Sequence, residues 1–249
     1  MRILLINPNT SPEITDLVAR RAREVADEDV MFVPATGRFG ARYIASRAAA
    51  AIAGHAALDA LAEHGEGCDA VILACFGDPG LPALRELSPV PVVGMAEASC
   101  HLACTLGRRF SIVTGGARWG PMLEEFVASL GLADRFAGVR TVAPTGAEIA
   151  QDPDGTLALL VAQCSSCADE DGADVVILGG AGLAGLARTL APLVDVPVLC
   201  SVEVAVQAAI VVARMSPKKP KDGTFGRTQP VETSGLSPEL AYAMNLSEC

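Results

Sequence analysis

The chain has 249 residues, 51% of them apolar and only 4% aromatic, with a formal net charge of −10. That length suits one large domain or two small ones. The acidic balance argues against a nucleic-acid partner, which needs clustered Lys and Arg, and no apolar run is long enough to cross a bilayer. All three lysines (Lys218, Lys219, Lys221) fall in one Pro-rich segment near the C-terminus. A Schiff-base lysine in a packed site or a Gly-Lys-Ser/Thr phosphate loop therefore cannot be built from the body of the chain. No signal-peptide cleavage pattern follows Met1, so the expected location is the cytoplasm.

In chain order, an apolar run at 2–6 predicts the first strand. Thr10-Ser-Pro-Glu13 reads as a capping box with Pro in the first turn, opening a helix through Ala26. Strands follow near 30–33, 70–74 and 90–94, with an Ala- and Leu-rich helix at 43–63 between the first two of these. The pattern then starts again, with strands near 109–114, 137–142, 174–179 and 196–200 and helices at 121–130, 157–168 and 183–193. These runs are almost continuously apolar, as strands covered on both faces must be. Residues 216–238 read as an exposed connector, and a short helix starts from Ser237.

The restart is an internal repeat. Residues 69–81, DAVILACFGDPGL, match residues 174–186, DVVILGGAGLAGL. Residues 2–8 match 109–115, 33–37 match 142–146, and 90–94 match 196–200, with Glu97 and Glu203 in register behind them. The order is kept and the offsets stay between 105 and 109 residues. The expected fold is therefore α/β, with two pseudo-symmetric doubly wound parallel-sheet lobes and the site in the cleft between them. Residues 1–98 form the first lobe and 99–203 the second; 204–249 pack back on the first.

Aligning the repeats sets Cys75 opposite Gly180, both at the carboxyl ends of strands, where ligands bind in such sheets. A thiol between a buried strand and a helix start is placed to ionise below the ordinary value of about 8.5, and the backbone N–H groups of Phe76 and Gly77 could hold an oxyanion. The competing reading is one more small buried residue. Asn9, after the first strand, and Thr114 and Gly115, after its repeat partner, could orient a small polar ligand or serve as turn residues. Ala181 follows Gly180 as Phe76 follows Cys75. Arg42 and Tyr43 line the mouth or decorate the surface. Asp78, Glu97 and Glu203 read as helix-start charges before they read as chemistry.

Of the eight cysteines, most read as small buried apolar residues of a reducing compartment. Cys164-Ser-Ser-Cys167 has metal or redox spacing but lies in a helical stretch, and no second pair or nearby His completes a zinc site. Gly180-Ala-Gly-Leu-Ala-Gly185 satisfies the Gly-x-Gly-x-x-Gly dinucleotide pattern, with Glu203 where a ribose-binding acid would sit. Against it, the repeat makes this strand the third of its half.

The segments Ile3-Leu-Leu-Ile-Asn-Pro-Asn-Thr-Ser11, Ile72-Leu-Ala-Cys-Phe-Gly-Asp-Pro-Gly-Leu81, Pro91-Val-Val-Gly-Met-Ala-Glu-Ala98 and Ile177-Leu-Gly-Gly-Ala-Gly-Leu183 resemble the aspartate/glutamate/hydantoin racemase superfamily, most nearly its hydantoin racemase branch. The resemblance implies a cofactor-independent carbon-acid reaction on a small substrate such as a hydantoin or allantoin. One Cys from each lobe would exchange a proton on opposite faces of a stereocentre, in what is expected to be a homo-oligomer. Cys75 matches one of the two acid/base residues. Gly180 stands where the family carries the second, and a glycine has no side chain with which to move a proton. Four readings follow: a racemase in which another group, such as Cys200 or water, serves the second face; a one-thiol enzyme resembling arylmalonate decarboxylase; an inactive copy; or a small-molecule binder.

Overall fold

The computed structural model describes residues 1–142, 153–226 and 229–245. The repeat folds into two four-stranded, all-parallel sheets. The first contains β1 (Arg2–Asn7), β2 (Met31–Thr36), β3 (Ala70–Leu73) and β4 (Val92–Gly94) in the order β2-β1-β3-β4. The second contains β5 (Phe110–Gly115), β6 (Phe136–Val142), β7 (Val175–Gly179) and β8 (Val198–Cys200) in the corresponding order β6-β5-β7-β8. Each sheet starts at an inner strand, runs outward to one edge and returns past the start to the other side. The order therefore reverses between β1 and β3, and again between β5 and β7, and a crevice opens beyond the strand ends at each reversal.

The helices are α1 (Pro12–Val25), α2 (Arg47–His64), α3 (Leu81–Leu87), α4 (Met95–Leu106), α5 (Trp119–Ser129), α6 (Pro153–Asp169), α7 (Leu186–Leu190), α8 (Ser201–Met215) and α9 (Pro238–Asn245). The helix that follows each sheet crosses to the other. α4 leaves β4 and packs on β7, while α8 leaves β8 and packs on β3, β4 and α1; α4 and α8 also pack on each other, and α9 lies on α2. This exchange joins Ile3, Ile72 and Met95 to Phe110, Ile177 and Val206 in one buried apolar cluster through both sheets. The crevices are thereby held facing each other.

Several elements differ from expectation for local reasons. β2 continues through Pro34, opposite Leu5; as an edge strand it tolerates a residue with no N–H to give. β4 and β8 begin only after Pro91 and Pro197. The predicted capping box at the start of α1 does not form. Ser11 occupies the N-cap position, and its hydroxyl donates to the Arg42 carbonyl (2.9 Å) instead of capping the helix, although Pro12 does sit in the first turn. α2 starts at Arg47, later than expected, because Ser46 caps it by accepting the Ala49 N–H (3.2 Å). Residues 183–193 do not make one helix but two short 3-10 turns around α7.

The connector is more than a solvated tether. Lys219 places its ammonium on the carbonyls of Arg85, Glu86 and Ser88 at the end of α3, where the helix dipole favours a cation. Ser237 donates to Asp59 of α2 (2.6 Å) and accepts the Leu240 N–H. Residues 143–146, the second copy of one repeated segment, and Cys249 lie outside the described residues. No helix among the described residues is long and apolar enough to cross a membrane.

Candidate active site

The two crevices merge into one cleft of about 700 Å³, open solvent included. It is walled by the ends of β1, β3, β5 and β7. Asn9, Cys75, Phe76, Thr114, Gly115, Gly180 and Ala181 all line it, as do Arg42 and Tyr43 from the loop between β2 and α2. Gly77 does not. It adopts φ +111°, and a Cβ there would collide with the Trp119 indole at 2.6 Å, so its part is to let Trp119 lie against the Cys75 turn. Trp119, Ile14, Ile44 and Leu183 complete the walls and were not singled out by sequence. The repeat alignment pairs Trp119 with Pro12, a comparison that gives no signal.

The two sides of the cleft are built by the same turn. The Asp78 N–H donates to the Cys75 carbonyl at 3.0 Å, and the Leu183 N–H donates to the Gly180 carbonyl at 3.0 Å. Downstream, Gly80 and Gly185 are both left-handed N-caps, of α3 and α7. The halves differ at the position that matters: Gly180 has φ +128°, and a Cβ added there would meet only Thr114 Oγ1, at 3.7 Å. Room for a side chain is thus present at Gly180, in the same cleft that Cys75 lines.

The electrostatics of Cys75 run opposite to the sequence expectation. Burial pushes its thiol up to about 12, and the negative charge of Asp78 adds to the shift. The structure shows why activation by the following helix fails: α3 begins only at Leu81, six residues on, beyond the one-turn reach of a helix terminus. Asp78 itself caps a different helix. Its Oδ1 accepts the Ala96 N–H (3.0 Å) and its Oδ2 the Glu97 N–H (2.7 Å) at the start of α4, whose own N-cap, Gly94, has no side chain to do so. Burial raises the Asp78 carboxyl to about 7 against these two hydrogen bonds.

The polar rim is well anchored. Asn7 is fully buried and donates to Asn9 Oδ1 (2.8 Å), the Ser11 carbonyl and Thr15 Oγ1. The Ser11 N–H also donates to Asn9 Oδ1 (2.9 Å), which fixes the amide so that its NH₂ remains for a ligand. Tyr43 reaches across from the first lobe and donates to the Gly115 carbonyl (3.0 Å). Cys200 is buried at the N-cap of α8 and is not part of the cleft lining, so it is not positioned to replace a thiol at Gly180.

The dinucleotide reading does not fit this geometry. Residues 181–183 form a 3-10 turn, α7 has five residues, and Glu203 is engaged by Arg21 (Nε–Oε1 2.9 Å) and by Arg188 at 3.8 Å. Glu97, its repeat partner, pairs with Arg85 at 2.8 Å. Cys164 and Cys167 are buried on α6, and no cluster of His, Cys, Asp or Glu suited to a metal ion occurs among the described residues.

Comparison with known proteins agrees with this construction. The family model for Asp/Glu/Hydantoin racemase matches residues 3–209. A hydantoin racemase of Pseudomonas sp. (strain NS671) is 34% identical over 226 residues, covering 90% of this chain and 91% of its own. The crystal structure of allantoin racemase from Pseudomonas fluorescens superposes with a TM-score of 0.90 at 34% identity, covering 94% of this chain and 100% of that one. Allantoin racemase from Klebsiella pneumoniae superposes with a TM-score of 0.88 at 31% identity, over 96% and 98%.

Proposed function

The chain belongs to the Asp/Glu/hydantoin racemase family, and from that premise we propose that it moves the α-proton of a small cyclic ureide, a hydantoin or allantoin type of carbon acid, with Cys75 as the acid/base on one face. The observation that carries the reading is the placement of one thiol at the strand-end turn of a two-lobed cleft. A planar ureide presents carbonyl oxygens and N–H groups on its rim. The Asn9 amide, the Thr114 hydroxyl and the N–H groups of Phe76 and Ala181 offer complements to it, and hydrogen bonds to the carbonyl next to the reacting carbon would hold the enolate that forms there. Ile14, Ile44 and Leu183 supply apolar walls that exclude water. No cofactor is needed, because the electron pair left on carbon is delocalised into the substrate's own carbonyl.

Gly180 and the high thiol pKa support a second reading, in which Cys75 acts as a proton donor on one face only. Solvent deuterium exchange on single enantiomers of 5-substituted hydantoins and of allantoin separates the two, with optical rotation followed alongside and an enzyme-free background subtracted. Deuterium entry with loss of rotation is the expected result for the racemase, the loss of rotation being abolished by Cys75→Ser. Entry with retained rotation would establish the one-face enzyme. Absence of any enzyme-dependent exchange would overturn both.

A further inference from the structure

Gly180 leaves the second face of the cleft without a thiol, and the protein surrounding that face has few side chains that can exchange a proton. Among the lining residues, Cys75, Tyr43 and Arg42 are the titratable ones. Arginine does not release its proton in proteins, and Thr114, the remaining hydroxyl, does not titrate in water. Tyr43 belongs to the same lobe as Cys75, but its hydroxyl crosses the cleft to the other one. Its hydroxyl is bonded to the carbonyl of Gly115 at 3.0 Å, one residue from Thr114, whose Oγ1 is 3.7 Å from where a Gly180 side chain would begin. Gly116, the next residue, adopts φ +89°, and a Cβ there would approach the phenol oxygen to 2.5 Å, so the backbone is bare where the phenol is seated.

We propose that Tyr43 is the second acid/base of this cleft, serving the face that Gly180 leaves unprovided. The proposal rests on the carbon-acid reading above. In one direction the Cys75 thiolate takes the proton from carbon, the C–H electron pair passes into the carbonyl to form the enolate, and the Tyr43 O–H gives its proton to the opposite face of that carbon, becoming phenolate. The cycle ends with a neutral thiol and a phenolate. It resets when the phenolate takes a proton from solvent and the thiol returns one, or by running on the opposite enantiomer.

Two further observations fit this role. Partial burial raises the Tyr43 phenol above its ordinary 10, the direction in which Cys75 is also moved, and the Trp119 indole N–H works the other way, toward the phenolate. The Tyr43–Gly115 bond can also break without disturbing the core, since Tyr43 is among the exposed large side chains.

The test follows deuterium uptake and inversion for each enantiomer of a 5-substituted hydantoin separately, in the native protein, Tyr43→Phe and Cys75→Ser. Alkylation of Cys75 and urea unfolding serve as controls that the phenylalanine variant keeps its fold and its thiol environment. The expected result is that Tyr43→Phe loses inversion by about 10²–10⁴-fold, while the enantiomer whose proton faces Cys75 still takes up deuterium without inverting and the other is inert. Cys75→Ser shows the reverse selectivity. Inversion at native rates in Tyr43→Phe, or equal loss of exchange from both enantiomers, would overturn the assignment. A native protein with no Cys75-dependent exchange would overturn the functional reading itself, a result distinguishable from both.

Discussion

The ring of Phe76 occupies the space into which a side chain on Gly179 would project: an added Cβ would lie 2.5–2.8 Å from Cε1, Cδ1 and Cζ of that ring. The residue after the candidate thiol in one lobe thus roofs the last strand position of the other. This contact ties the two strand ends together beside Cys75 and Gly180, in addition to the packing of α4 and α8.

Changing either partner should therefore affect stability and the site together. Gly179→Ala forces the ring away and is expected to cost about 1–3 kcal/mol by overpacking. Phe76→Ala, at a position only 4% exposed, should cost about 3–5 kcal/mol. Urea unfolding measures both. Equal stability of Gly179→Ala and the native chain would show that the ring moves freely and that the lobes are not registered by it.

Gly180→Cys tests the opposite situation, space without a side chain. The nearest heavy atom to the new Cβ is Thr114 Oγ1 at 3.7 Å, an ordinary contact, but φ is +128°. The expected penalty is conformational, about 1–3 kcal/mol, with no steric component. With Tyr43 serving the second face, inversion of hydantoins is present before the substitution; inversion that appears only in the variant would show that the second face was short of a proton carrier and overturn the Tyr43 assignment. A much larger loss of stability would mean that the turn cannot relax to negative φ.

Much of this arrangement was legible in the sequence. The repeat predicted two equivalent sheets and located Cys75, Gly180, Asn9 and Thr114 at strand ends, because strand-end position follows from order and parallel topology alone. Side-chain reach between elements was not legible. Trp119 packs on Gly77, and Tyr43 bonds to Gly115, a residue 72 positions away; neither contact leaves a periodicity or spacing signal. The role of Asp78 was only half visible. An Asp-Pro pair reads as a cap, but the helix it caps is α4, at the end of the neighbouring strand β4, because Gly94 leaves that helix start bare. The thiol expectation failed for a related reason, since the distance from Cys75 to the start of α3 depends on how residues 76–80 turn.

Asp78 should also give a pH signature. Its carboxyl lies near 7 in the folded chain against about 3.9 when exposed. The folded state then binds the proton more tightly than the unfolded state. The stability contributed by this group is fully present below about pH 4 and is lost as pH rises through about 7. Asp78→Asn removes the titration. The difference in unfolding free energy between native and Asp78→Asn should change steeply between about pH 4 and 7, with the native chain losing ground as pH rises. A pH-independent difference would place the carboxyl in the ordinary acidic range.

Cys75 offers the sharpest check on the electrostatics. A thiol near 12 is ionised to about one part in ten thousand at pH 8, whereas a free thiol at about 8.5 is substantially ionised there. Iodoacetamide should therefore modify Cys75 roughly a thousandfold more slowly than free cysteine at pH 8, and the rate should climb about tenfold per pH unit without levelling before about pH 11. Mass spectrometry of the peptide carrying Cys75 separates it from the half-buried Cys104. Because Asp78 is the second cause of the shift, Asp78→Asn should move the whole curve to lower pH and raise the rate at pH 8. Rapid modification at neutral pH in the native chain would mean that the resting enzyme already holds a thiolate. Deprotonation could then start from the free protein, with no need for the substrate or alkaline conditions to ionise the thiol first.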